Sequence, residues 1–172
     1  MPQNIQIFGY GSLINLDSLK KTVPDVTSFF PALLENYTRV FETESTTRFT
    51  EQNVPVSVLN LRESPNVTVN GICFEMIEEH FDTLLTREKA YELKEITVKS
   101  WTTKTNFSAF VFLDKNNEKK DFLFDEPIQL DYLNICLDGA KKFGEDFYKM
   151  FLENTFINGC RLNSIKKLGH LL

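Results

Sequence analysis

The first strand pattern in the sequence runs straight into a loop that is bracketed by glycines. The run Ile5-Gln6-Ile7-Phe8 has the composition of a buried strand, and Gly9-Tyr10-Gly11-Ser12 follows it at once. Glycine is used where a chain must turn sharply or present bare backbone to a ligand. A short helix is expected over residues 13–22, before Pro24 ends it. The sequence therefore predicts a strand, a loop and a helix in immediate succession.

Five further segments are rich in β-branched and aromatic residues, and most of them alternate between polar and apolar positions. These predicted strands cover residues 37–43, 54–61, 67–77, 92–101 and 107–113, with predicted loops at residues 62–66 and 114–121. The shortage of long helices between them favours an α+β fold. We expect a mixed or largely antiparallel sheet with helices outside it, and the residue pattern leaves closure into a barrel open.

Two stretches repeat apolar residues every three or four positions, which is the helical period. They cover residues 78–91 and 130–151. Gly139 and Gly144 lie inside the second stretch, and glycine disfavours a helix interior by about 1 kcal/mol relative to alanine. These glycines are therefore expected to divide or loosen the second helix.

Composition and charge restrict the partners of this chain. Its 172 residues fit one domain spanning 1–172, and its net charge of −5 argues against a nucleic-acid-binding surface, which needs clustered lysine and arginine. The three cysteines lack the spacing of a zinc site, so free thiols are expected. Because neither a signal peptide nor a membrane span is evident, we expect a cytoplasmic protein with a small-molecule partner and no membrane contact. No oligomeric state is predicted.

The backbone of the glycine loop suits an anion. If Ser12 opens the helix, its side chain can cap it, while the N–H groups of Gly11, Ser12 and Leu13 form a concave site that favours a carboxylate. A plain tight turn explains the glycines equally well. The Gly-Lys-Ser/Thr ending of a Walker loop and the Gly-x-Ser-x-Gly pattern of a nucleophile elbow are both missing here, so Ser12 is not expected to act as a nucleophile.

A carboxylate continues the apolar face of the first predicted helix. That face consists of Ile77, Phe81, Leu84 and Leu85. Glu88 falls on the same side, and a carboxylate directed inward loses hydration, which raises its pKa towards the range useful for proton transfer. Alternatively, the helix ends at Thr86 and Glu88 forms a surface ion pair with Arg87 or Lys89. Spacing alone leaves both interpretations open.

Together, the loop and the glutamate resemble the γ-glutamylcyclotransferase-like family. The resemblance rests on Tyr10-Gly11-Ser12-Leu13 after the first strand and on Arg87-Glu88 downstream. Between them, residues 69–75 resemble the family's glycine-bearing strand, and residues 148–156 resemble its C-terminal helical region. The resemblance implies a small mixed or antiparallel β-barrel with flanking helices. It also implies a site that needs neither a metal nor a cofactor.

The same resemblance implies an enzyme that cyclises the γ-glutamyl group of a small γ-glutamyl compound to 5-oxoproline and releases an amine or amino acid. Glu88 would be its general acid/base, and the substrate-binding residues would be Tyr10, Gly11, Ser12 and Leu13. The glutathione-specific ChaC branch is disfavoured, because Ile14-Asn15 stands where that branch continues into tryptophan. The alternatives are a non-catalytic binding module on the same fold and a cyclotransferase specific for γ-glutamylamines.

Overall fold

Five strands close into a barrel in the computed structural model, which describes residues 4–116 and 118–172. They are β1 (Asn4–Gly9), β2 (Ser28–Phe49), β3 (Pro55–Ile77), β4 (Glu92–Ser100) and β5 (Asn106–Leu113). Neighbouring strands run in the order β3, β1, β5, β4, β2, and β2 pairs back with β3. The β1–β5 pair is parallel, whereas the other four barrel pairs are antiparallel. The expected α+β fold with a small mixed barrel is thus confirmed, and the barrel is closed.

Helices and two short strands surround the barrel. They are α1 (Leu16–Lys20), α2 (Phe81–Arg87), α3 (Pro127–Lys141), α4 (Glu145–Glu153), β6 (Thr155–Ile157) and β7 (Cys160–Arg161). Strand β6 adds to β2 in parallel, and β7 pairs with β6. None of the helices in the described part of the chain is long and apolar enough to cross a membrane.

The predicted loop at residues 62–66 is wrong, because β3 continues through it. Strand β3 pairs with β2 on both sides of this segment. Strand β2 itself begins at Ser28, nine residues before its predicted start at residue 37. The turn-like composition marks a bulge instead: Asn36 and Asn66 both have a φ of 65°, and the Asn66 N–H donates to Asn36 Oδ1 at 3.1 Å. Cross-strand pairing therefore overrides the local turn preference, because it satisfies the backbone on both sides of the bulge.

The predicted helix over residues 130–151 is divided at one of its two glycines. Gly144 has a φ of +98° and separates α3 from α4. Gly139 does not break α3, because it provides space for a close approach: a Cβ there would lie 2.7 Å from the backbone nitrogen of Asn15. The Asn15 side chain also donates to the Ile135 carbonyl at 3.0 Å. Helix α3 therefore packs directly on the segment that follows the glycine loop.

Candidate active site

The glycine loop leaves β1 at one end of the barrel. A 3-10 turn, Ser12–Ile14, follows it, and the side chain of Asn15 caps α1 by accepting from the N–H groups of Asp17 and Ser18 at 3.1 and 3.2 Å. The prediction that Ser12 caps the helix is therefore wrong, because the 3-10 turn delays the start of α1. Within residues 4–116 and 118–172, the N–H groups of Gly11, Ser12 and Leu13 have no hydrogen-bond acceptor.

A buried arginine, Arg39, forms a hydrogen bond with the backbone of the glycine loop. Arg39 Nε donates to the carbonyl oxygen of Tyr10 at 2.7 Å, which fixes the peptide plane that precedes Gly11. The other nitrogens donate to the Asn70 carbonyl and, at 3.1 Å, to Thr155 Oγ1. Burial lowers the pKa of Arg39 to about 9, so its guanidinium still carries a positive charge at neutral pH.

Glu88 is the residue that terminates α2. Its N–H donates to the Leu84 carbonyl at 2.9 Å, and its side chain is only 14% exposed. Leu84 is fully buried, as predicted, but Leu85 is 37% exposed, so the prediction that Leu85 faces inward is wrong. The helix has seven residues, of which Leu84 alone is buried, so Leu85 lies on its exposed side.

Arg87 connects the glutamate to the glycine loop and to α1. Its Nη2 donates to Ser12 Oγ at 3.2 Å and to Ser18 Oγ at 3.1 Å, and its Nη1 donates to the Ser18 carbonyl and Thr22 Oγ1. Its Nε lies 3.4 Å from Glu88 Oε1. The ion pair considered in the sequence analysis therefore exists, but it lies against the loop rather than in bulk water.

The environment of Glu88 shifts the pKa of its carboxyl in two opposing ways. Burial raises the pKa of this carboxyl above its ordinary value, and the positive charge of Arg87 partly opposes the rise. An upward shift brings a carboxyl closer to the pKa range in which a general acid/base works best.

Three tyrosines form walls around Glu88: Tyr10 and Tyr132 are buried, and Tyr91 is partly buried. The hydroxyl of Tyr10 donates to the Phe112 carbonyl at 2.6 Å, and that of Tyr91 donates to the Leu59 carbonyl at 2.7 Å. The Tyr132 hydroxyl accepts from the Leu59 N–H at 3.3 Å. Burial raises the pKa of all three phenols well above their ordinary value, so they are neutral. Sequence reasoning missed Tyr132, whose helical spacing resembles ordinary core packing.

Two adjoining cavities meet at Glu88. The inner cavity, of about 30 Å³, is lined by Tyr10, Gly11, Ser12, Leu13 and Glu88 together with neighbouring aromatic side chains. The outer cavity, of about 80 Å³, is lined by residues 44–48 and by Arg87. Four residues line both: Ser12, Glu88, Tyr91 and Tyr132. The structure therefore brings all five sequence-predicted site residues to one cavity.

Two other kinds of catalytic group, thiolates and metal ions, have no evident place in the described residues, and Glu44 lines the outer cavity only. Burial raises the pKa of the Cys73 and Cys136 thiols to about 12, so neither is a thiolate near neutral pH. In the part of the chain that the structure describes, no three His, Cys, Asp or Glu side chains are grouped as metal ligands would be. Glu88 is therefore the carboxylate that borders both cavities.

Sequence comparison identifies one matching family. The model of the ChaC-like protein family matches residues 5–137; this match assigns the family but no substrate, so it leaves the expectation against the glutathione-specific branch untested. No curated protein matches the sequence significantly.

Solved structures share the fold at low sequence identity. A γ-glutamyl cyclotransferase has a TM-score of 0.71 at 19% identity, over 87% of this chain and 86% of that chain. An uncharacterized protein from Homo sapiens also has a TM-score of 0.71, at 18% identity, over 98% and 97% of the two chains. A γ-glutamyl cyclotransferase specific to glutathione from yeast has a TM-score of 0.64 at 18% identity, over 88% and 95%. At such identities the likeness establishes the fold alone.

Proposed function

This chain belongs to the ChaC-like family, and from that premise we propose that it converts a small γ-glutamyl compound to 5-oxoproline and a free amine or amino acid. The family and the fold support a cyclotransferase-type enzyme. One observation supports the finer proposal: Glu88 lines the same inner cavity as Gly11, Ser12 and Leu13, whose N–H groups have no acceptor among the described residues.

Substrate binding is assigned to the glycine loop. In this proposal the α-carboxylate of a γ-glutamyl group accepts hydrogen bonds from the N–H groups of Gly11, Ser12 and Leu13, which have no acceptor among the described residues. Arg39 holds the peptide plane before this donor set, and Arg87 holds Ser12 through its hydroxyl. The carboxylate therefore meets donors whose directions are fixed before it binds, which lowers the entropic cost of binding.

Proton transfer is assigned to Glu88. Its carboxylate removes a proton from the α-amine of the substrate, and the nitrogen lone pair attacks the γ-carbonyl carbon of the same molecule. A C–N bond forms to close the five-membered ring, and the bond to the departing nitrogen breaks. Glu88 then returns its proton to that nitrogen, so a neutral amine leaves and the carboxylate is regenerated.

Selection of the folded substrate conformer accounts for much of the expected rate. Nucleophile and electrophile already belong to one molecule, and correct positioning of reacting groups contributes up to about 7–11 kcal/mol. The neutral walls formed by Tyr10, Tyr91 and Tyr132 restrict the space in which the substrate can extend. The mechanism accordingly requires no serine or cysteine nucleophile.

A panel of small substrates tests the proposed function. The purified protein is incubated with γ-glutamyl dipeptides, γ-glutamylamines and glutathione, and 5-oxoproline is quantified by chromatography. We expect release of 5-oxoproline from at least one compound. If none is converted but one binds measurably, a non-catalytic binding module on the same fold replaces the enzyme. Conversion of γ-glutamylamines alone would identify the amine-specific alternative.

Arg87→Gln is expected to shift the acid limb of kcat/KM to higher pH. The catalytic base is the ionised form of Glu88, so activity falls as pH drops through its pKa. Burial raises that pKa and Arg87 lowers it, so removal of the Arg87 charge leaves the upward effect unopposed. The measurement is a pH profile of kcat/KM for both proteins. Lys89→Gln, at the exposed neighbouring position, is the matched control and should leave the limb in place. An unchanged or downward-shifted limb in Arg87→Gln would exclude this coupling.

A further inference from the structure

Helix α4 and strand β6 lie against Arg39, the arginine that binds the glycine loop. They belong to residues 145–157, which follow the stretch matched by the family model. Strand β6 pairs with β2 in a register that sets Thr155 beside Arg39, and the Arg39 N–H donates to the Asn154 carbonyl at 3.1 Å. None of residues 145–157 lines either of the two cavities, so this segment contacts the site indirectly.

The Thr155 hydroxyl links the guanidinium of Arg39 to α4. It accepts from Arg39 Nη1 at 3.1 Å and donates its own hydrogen to the Phe151 carbonyl at 2.5 Å. Thr155 is fully buried, so bulk water does not compete for these two bonds. The donated hydrogen fixes the rotation of the hydroxyl and leaves its lone pairs to the arginine. One side chain thereby sets the position of Arg39 relative to the end of α4.

Two further contacts hold the same guanidinium. Its Cζ lies 4.2 Å from the centroid of the Phe151 ring, within the range of a cation–π interaction. Arg39 Nη2 donates to the Asn70 carbonyl, and the Asn70 side-chain amide donates to the Phe147 carbonyl at 2.7 Å. Phe147 and Phe151 are the two buried residues of α4, one helical turn apart. Helix α4 therefore fixes both the plane and the position of the guanidinium.

The position of Arg39 determines where one N–H group of the loop points. Arg39 Nε donates to the Tyr10 carbonyl at 2.7 Å. In a planar trans peptide, such as the one that joins Tyr10 to Gly11, the C=O and the N–H point in opposite directions. The Gly11 N–H therefore points away from Arg39, and Gly11 lines the inner cavity. A shift of the guanidinium would turn this peptide and redirect its N–H.

We propose that Thr155 is a positioning residue for substrate binding and that it acts through Arg39 on the Gly11 N–H. Thr155 holds the guanidinium, and the guanidinium holds the peptide that carries this donor. The inference rests on the proposed function, because it requires the substrate carboxylate to bind at the Gly11 N–H. It adds β6 to the parts of the chain that serve the site.

Thr155→Val tests the link with little change of shape, because valine can neither accept from Arg39 nor donate to Phe151. We expect KM for the best panel substrate to rise about three- to tenfold, the usual contribution of one hydrogen bond, and kcat to stay within about twofold. The carboxylate is bound alike before and during the reaction, so its loss appears in KM. Thr155→Ser retains the hydroxyl and should retain the wild-type KM. An equally high KM in Thr155→Ser would contradict the inference.

The Gly11 N–H can be observed directly in the free protein. Tyr10-Gly11 is the only Tyr-Gly pair in the sequence, so heavy carbon in tyrosine carbonyls and heavy nitrogen in glycine select this one N–H in an NMR spectrum. We expect its signal to move in Thr155→Val and to stay in place in Thr155→Ser. Both the signal and KM must change in Thr155→Val, and either one at its wild-type value would overturn the inference.

Leu168→Ala separates positioning from a general loss of stability. Leu168 is a buried apolar residue of the 3-10 turn Lys166–Leu168, so its truncation should lower Tm without moving the Gly11 signal or KM. The same changes in Leu168→Ala and Thr155→Val would assign Thr155 a structural role only and contradict the inference.

Phe151→Leu provides the test if Thr155→Val does not fold. Leucine keeps an apolar side chain in α4 but removes the aromatic face beside Arg39. The Gly11 signal should move, and KM should rise about two- to fivefold. Wild-type values for both would reject the inference.

Failure of the inference is distinguishable from failure of the proposed function. If the wild-type protein releases 5-oxoproline and Thr155→Val has an unchanged KM, the function stands and the role of Thr155 is rejected. If no compound of the panel is converted, the proposed function is rejected, and the inference with it.

Discussion

Glu88→Gln is expected to lower the rate of 5-oxoproline formation by about 10²- to 10⁴-fold, the usual contribution of a positioned general acid/base. Glutamine preserves the size of the side chain but cannot accept and return the proton. Because glutamine has almost the same volume and Glu88 borders a cavity, the fold should be unchanged. The measurement is kcat for 5-oxoproline release, compared with the thermal unfolding curve of the same sample.

Glu79→Gln is the matched control for this prediction. Glu79 is an exposed glutamate in the turn that precedes α2, so its substitution changes the net charge by the same amount without touching either cavity. We expect wild-type activity. Comparable loss in both variants would indicate a general electrostatic effect, and full activity in Glu88→Gln would remove Glu88 from the mechanism.

Arg39→Met is expected to destabilise the protein by on the order of 3 kcal/mol or more. Methionine fills much of the space but leaves four buried acceptor atoms without the donors of Arg39: the carbonyl oxygens of Tyr10 and Asn70, Asn70 Oδ1, and Thr155 Oγ1. Each unsatisfied buried group costs about 1–3 kcal/mol. One effect opposes this loss, because removal of a buried charge relieves its desolvation. The loss at the four acceptor atoms outweighs that relief, since these atoms remain buried in the variant.

Denaturant or thermal unfolding measures this effect. A loss of 3 kcal/mol corresponds to a fall in Tm of roughly 6–12 °C for a chain of this size. Arg161→Met removes an exposed arginine and should change stability by less than about 0.5 kcal/mol. A variant Arg39→Met as stable as the wild type would show that the arginine network contributes nothing net to the fold.

The chemistry-bearing segments were predictable because each rests on a local pattern. Residue spacing predicts a strand that ends at the Gly9 to Gly11 loop and a helix that ends near Glu88. Spacing does not predict that these two segments line one cavity, because their proximity depends on barrel closure through the β2–β3 pairing. Only the resemblance to a family placed the two segments in one site before the structure did.

The residues that sequence reasoning missed act through long-range contacts. Arg39 shares the inward face of β2 with Tyr37 and Phe41, and this alternation was the one signal that it is buried. Its partners are distant in the sequence, and a charged residue in a strand is usually exposed. Asn15 likewise replaced Ser12 as the helix cap, because a 3-10 turn delays α1. Local sequence preferences therefore located the two segments of the candidate site, but they did not predict the hydrogen bonds of Arg39 and Asn15 that fix these segments.

Cyclisation itself is tested most directly by the fate of the γ-carbonyl oxygen in water enriched in heavy oxygen. The best substrate from the panel is incubated with the wild-type protein and with Glu88→Gln, and the products are analysed by mass spectrometry. Intramolecular attack predicts 5-oxoproline without heavy oxygen from the wild type, and at most a trace of it from Glu88→Gln. Free glutamate that carries heavy oxygen, or equal formation of 5-oxoproline by the two proteins, would contradict the proposed reaction.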